Sequence, residues 1–116
     1  MAAVYYDILI EQGATYLRTF VWKDSDEVPV DLTNYTARMQ IRRKRSSTTV
    51  EHTATTENGG IVLGGAAGTI DIIIPATATA EFNFTKGVYD LELESTGDVV
   101  TRLIEGSVEV SKEVTR

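Results

Sequence analysis

"GVYDLELESTGDVVTRLIEGSVEVS", residues 87–111, decides the fold class. Tyr89, Leu91 and Leu93 alternate with Asp90, Glu92 and Glu94, which is the period of a strand with one buried face. Ser95 to Asp98 then supply polar turn residues. Beyond the turn, Val100, Ile104, Val108 and Val110 share one parity, but so do Arg102 and Gly106, while Leu103 falls on the other. An arginine among inward positions signals a slipped register. A β-bulge near Glu105-Gly106 would correct it, because glycine accepts the unusual backbone and lets one strand carry an extra residue. Alternatively, Leu103 is a contact residue on an exposed face.

The same rhythm recurs along the chain. "VYYDILIEQ" (4–12) places Tyr6, Ile8 and Ile10 on one side, and "TYLRTFVWK" (15–23) puts Tyr16, Arg18, Phe20 and Trp22 on another. "YTARMQIRR" (35–43) turns Ala37, Met39 and Ile41 inward. A strand near Thr49–Ala54, a turn at Asn58-Gly59-Gly60 and a hairpin across Gly64-Gly65 follow, with Ile70, Ile72 and Ile74 facing in. "ATATAEF" (76–82) breaks the β rhythm, and Thr77 or Thr79 could cap one helical turn there. Seven or eight short strands with a turn about every ten residues predict an all-β, antiparallel β-sandwich of the immunoglobulin-like type, filling one domain over 1–116.

Composition narrows the chemistry. The chain has 116 residues, enough for one core, and 42% of them are hydrophobic, an ordinary globular share. Cysteine is absent, so disulfides, thiol nucleophiles and Cys-based zinc sites are excluded. "MAAVYYDILIEQ" lacks the basic and apolar regions of a secretory signal, and no apolar run approaches a membrane span, so a soluble protein made in the cytoplasm is expected. Net charge is -6, yet Arg42, Arg43, Lys44 and Arg45 are four of the 11 basic residues. The acidic remainder opposes nucleic-acid binding. One basic loop on an acidic body instead suits an acidic protein surface, including another copy of the chain.

Catalytic readings find little support. His52 is the single histidine and lies in a polar stretch without a nucleophile motif, so it reads as solvent-exposed. The acids Asp90, Glu92 and Glu94 read as a solvated strand face. Asp24, Asp26 and Asp31 share one loop, but it lacks the glycine and distal glutamate of a calcium loop. The glycines from Gly59 to Gly68 precede no Gly-Lys-Ser/Thr and read as turn residues. No catalytic, cofactor or metal residue is assigned, and neither a small-molecule substrate nor a membrane partner is expected. What remains is surface: Arg42, Arg43, Lys44, Arg45, Leu103 and Tyr5 are the candidate protein-contact residues, with Tyr35 and Phe84 as weaker ones.

Three segments, 10–44, 55–82 and 87–116, together resemble a family of small tailed-bacteriophage virion proteins. The resemblance is carried by Gln12-Gly13-Ala14-Thr15, the Trp22 strand, Pro29-Val30-Asp31-Leu32-Thr33, Arg38-Met39-Gln40-Ile41-Arg42, Gly87-Val88-Tyr89-Asp90-Leu91 and the ending from Gly106 to Arg116. The layout is also similar to the N-terminal β domain of phage baseplate upper proteins. The resemblance implies a non-enzymatic virion component of the tail, baseplate or tail-fibre attachment region. Its partners would be other virion proteins and copies of itself, and its location the virion. A capsid decoration protein is the alternative, and a host-surface glycan-binding module a second one.

Overall fold

The computed structural model describes residues 3–115. Among these residues nine strands are arranged in two sheets: β1 (Val4–Tyr5), β2 (Ile8–Glu11), β3 (Tyr16–Val21), β4 (Thr36–Arg42), β5 (His52–Thr55), β6 (Ile61–Leu63), β7 (Thr69–Ile74), β8 (Lys86–Glu94) and β9 (Val100–Ser111). The larger sheet runs β1-β9-β8-β4-β5, with β2 also on β9, and the smaller runs β3-β7-β6. The predicted sandwich is therefore present. Two pairings depart from expectation: β1 and β2 run parallel to β9, while every other pairing is antiparallel.

Alternation decides which side chains meet between the sheets. Met39 and Ile41 of β4, Leu91 and Leu93 of β8, and Val108 and Val110 of β9 are buried against Ile70, Ile72 and Ile74 of β7. Full burial of such a side chain contributes about 1.5–3 kcal/mol, so these strands supply most of the hydrophobic stabilisation.

The bulge exists, but earlier than Glu105-Gly106. Leu91 pairs with Ile104 and Glu92 with Arg102, so Leu103 is the extra residue. It puts Leu103 and Ile104 both inside, at 5% and 6% exposure, and turns Arg102 out to solvent. Leu103 is thus a core residue, and the reading of it as an outward contact is corrected. Gly106 has a different cause. A Cβ there would overlap the Tyr6 carbonyl oxygen and lie 2.7 Å from its carbonyl carbon. The predicted continuous first strand in fact breaks at Tyr6–Asp7 and crosses directly over Gly106.

Three contacts fasten this crossing. The Tyr6 N–H donates to the Glu105 carbonyl at 2.8 Å. The hydroxyl of Tyr89, the cross-strand partner of Gly106, donates to the Tyr6 carbonyl at 2.6 Å. Asp7 Oδ1 accepts from the Ser107 N–H at 3.0 Å and its hydroxyl at 2.8 Å. The Ser107 backbone bond, then its hydroxyl, holds the Asp7 carboxyl below the usual carboxylate range. Because the folded pKa is depressed, this fastening is complete above the unfolded carboxylate pKa of about 4 and is lost as pH falls through the folded value. The protection factor of the Ser107 amide, its exchange rate relative to the intrinsic rate at the same pH, should therefore fall on acidification, and Asp7→Asn should remove that acid dependence. An unchanged acid response in the variant would assign it to another group.

A second brace holds the corner where the chain leaves the larger sheet for β3. Gly13 adopts φ 84°, a left-handed value that glycine tolerates. The one-turn helix α1 (Ala76–Thr79) lies beneath it, as predicted, but Pro75 occupies the N-cap and no threonine caps it. Thr79 is instead completely buried. Its hydroxyl donates to the Ala14 carbonyl at 2.8 Å and accepts the Gly13 N–H at 3.1 Å. Gln12 Nε2 adds a bond to the Phe82 carbonyl at 2.9 Å. His52, expected in solvent, is half-buried edge-on to Phe82 at 5.7 Å, and burial lowers its pKa.

Candidate protein-contact surfaces

The outward row of β8 and its neighbours form a charged face. Arg38 of β4 reaches Glu92 at 2.9 Å and Glu94 at 3.1 Å. Arg102, turned outward by the bulge, stands 3.6 Å from Asp90 and 3.7 Å from Glu105. Cross-strand pairs of opposite charge stabilise a sheet modestly, so this face is organised as well as solvated.

The basic run 42–45 divides its duties. Arg42 donates to the Ser47 carbonyl at 2.7 Å and to Gln40 Oε1 at 3.0 Å. Arg43 turns the other way, to Glu51 at 3.2 Å and Asn83 at 2.7 Å, with its guanidinium 5.9 Å from the Phe84 ring centre. These two arginines shape their own loop. Arg45 reaches across to Glu105 at 3.2 Å, and the Lys44 side chain has no partner among the described residues. Arg42 and Arg45 meet Arg102 around a cavity of about 260 Å³ on the outer face of the larger sheet, with Gln40 and Asp90 completing its wall. Burial raises the Asp90 carboxyl's pKa and the Glu92 charge adds to it, while Arg102 and Arg45 oppose the rise.

An apolar groove of about 380 Å³ opens on the side where both sheets end. Val4, Tyr6, Phe20, Val21, Trp22 and Leu103 line it. Val4 and Val21 are 60% and 47% exposed, and Tyr5, beside them in β1, is 65% exposed, which places this candidate residue at the surface. Leu103 contributes from the groove's floor. Tyr35 packs edge-on to Trp22 at 6.3 Å, and Phe84 is buried, so these weaker candidates belong mainly to the interior. The free edge of β3 borders the groove and carries Arg18 on its inward parity. The Arg18 guanidinium lies 4.9 Å from the Tyr6 ring centre. An inward-pointing charge on an edge strand discourages another strand from adding to it, so contact here falls to side chains in the groove.

The acidic loop ahead of β4 is a tight turn. Asp24 Oδ1 accepts from the N–H groups of Asp26 and Val28, at 2.9 and 3.0 Å, and Lys23 bridges to Pro29. Asp31 spends its Oδ1 on Thr33. Asp26 and Glu27 project from the tip, and the Glu27 side chain is 83% exposed, with Lys23 4.0 Å away.

Sequence reasoning assembled the 42–45 run but missed Arg102 as its companion. The only available signal was the misplaced parity of Arg102, which was read as a register problem. It also missed the groove, because β1, seated parallel on β9 in the larger sheet, and β3, paired with β7 in the smaller one, meet there across the two sheets and not in a hairpin.

No protein-family model matches the chain, and no curated protein does. Solved structures do. The extracellular domain of the voltage-gated sodium channel beta4 subunit, a parallel homodimer with a role in cell–cell adhesion, is similar over 98% of this chain and 97% of its own, at 13% identity and a TM-score of 0.51. A second structure, from work on multimeric cell-adhesive interactions of sodium channel beta subunits, is similar over 92% of each chain at 14% identity and a TM-score of 0.51. At such identities the likeness is one of fold, and the chain is an immunoglobulin-like β-sandwich.

Proposed function

We propose that this chain is a protein-contact domain, held by copies of itself and by neighbouring proteins as a structural component of a tailed-bacteriophage virion. Its place is the tail, baseplate or fibre-attachment region. The observation that carries the contact reading is the solvent-open apolar groove bounded by Val4, Val21 and Trp22. Exposed apolar surface of this kind marks interaction sites. Self-contact is supported by the homodimer of the sodium channel beta4 neighbour, a domain of the same architecture. The virion address rests on the resemblance of 10–44, 55–82 and 87–116 to small virion proteins.

Locating the chain in purified particles by labelled imaging, with its copy number counted by quantitative mass spectrometry, tests this reading. Several copies in cyclic order on the tail are expected, since closed contacts between identical chains give point-group symmetry. Copies on the capsid lattice would move the address to capsid decoration. A chain absent from particles and monomeric at every concentration would end the proposal.

A further inference from the structure

We infer that the arginine-lined cavity on the outer face of the larger sheet receives the acidic tip Asp26–Glu27 of a neighbouring copy. The inference rests on the self-contact reading above and names the two surfaces that meet. Each guanidinium carries five N–H donors. Arg42, Arg45 and Arg102 together make three hydrogen bonds among the described residues, two from Arg42 and one from Arg45. Arg102 makes none, and its carboxylate neighbours stand beyond hydrogen-bond distance at 3.6 and 3.7 Å. Most donors in the cavity are therefore free to hold an acceptor.

Charge selects that acceptor. Three arginines face Asp90 and Glu105, leaving one positive charge in excess on a chain whose net charge is -6. A single positive excess matches one unpaired carboxylate, here Asp26, since Lys23 stands 4.0 Å from Glu27, whereas Asp90 and Glu105 beside the arginines oppose a phosphate dianion. The cavity of about 260 Å³ admits side-chain tips and not a folded surface.

The chain itself supplies a fitting tip. Asp26 and Glu27 are exposed, and the turn beneath them is already ordered by Asp24 and the Lys23–Pro29 bridge. A pre-ordered tip loses little freedom on docking. A chain cannot fill its own cavity. The tip is tethered beside the groove, where Glu27 joins Val4 and Trp22, while the cavity lies on the outer face of the larger sheet. The contact thus joins unlike patches on successive copies, a head-to-tail interface that closes into rings or extends into strings.

Charge-swap complementation tests it, read by sedimentation of the full chain at low and high salt. Wild type should associate at low salt and dissociate as salt rises. Arg45→Glu with Arg102→Gln, and separately Asp26→Lys with Glu27→Lys, should each weaken self-association about tenfold or more. An equimolar mixture of the two should associate again, because the acidic tip of the first fits the basic cavity of the second. Circular dichroism confirms folding; if the double cavity variant does not fold, Arg45→Glu alone replaces it, since Arg45 lies in a loop with its side chain 65% exposed. Variants that associate as tightly as wild type would overturn the cavity–tip contact while leaving the contact-domain reading in place. A wild-type chain that never self-associates would overturn both.

Discussion

Gly106→Ala is expected to release the N-terminal crossing and to destabilise the fold by roughly 3 kcal/mol, the upper end of the overpacking range. The obstacle is main chain, not a side chain that can rotate away. The new methyl would occupy the place of the Tyr6 carbonyl oxygen and approach the Asp7 carboxylate to 3.3 Å. Relief requires β1 and the Tyr6–Asp7 crossing to lift. That breaks the Tyr89–Tyr6, Tyr6–Glu105 and Asp7–Ser107 bonds together. Urea denaturation measures the global loss, and hydrogen exchange locates it. Protection should vanish at Tyr6 and Ser107 before it falls in β4 and β8. A variant as stable as wild type, with those amides still protected, would show that the crossing does not need the missing Cβ.

Ile72→Ala should cost about 2–5 kcal/mol, a large part of the 5–15 kcal/mol that holds a typical domain together. Ile72 is 1% exposed and lies on the middle strand of a three-stranded sheet, opposite Arg18 of β3 and Ile61 of β6. Its neighbours are hydrogen-bonded into the ladder and cannot collapse around a lost side chain, so a cavity remains. Val62, on the outer side of the same sheet, is 48% exposed, and its replacement by alanine should stay within about 0.5 kcal/mol. The difference in urea midpoints between the two variants is the measurement. A loss under about 1 kcal/mol at Ile72 would mean that the smaller sheet repacks freely.

Much of the architecture was legible because it depends on near neighbours. Tyr89, Leu91 and Leu93 alternate with acids, and this forces β8 to bury one face whatever the rest of the chain does. The turn at Asn58 was equally local: its Oδ1 accepts from the N–H groups of Thr55 and Gly60. Gly106 was noticed and misexplained, since the reason for it comes from Tyr6, a hundred positions earlier. A glycine required by a distant backbone looks, in sequence, like one required by its own conformation. His52 sat in a polar stretch, and only the return of Phe82 half-covers it. The arginine cavity fails for the same reason. Arg42 ends β4, Arg45 follows in the next loop and Arg102 comes from a strand about sixty positions later, and only the β4-β8-β9 pairing brings them together.

The parallel seating of β1 and β2 on β9 also governs how the domain bears load. Val4 lies against Ile104 at one end of this seam, and Glu11 against Ser111 at the other. Tension between the two extremities of the chain runs along the seam and strains its rungs simultaneously, in shear. An antiparallel terminal pair would be peeled open one rung at a time. The fold is thus wired as a link that can be pulled from both ends.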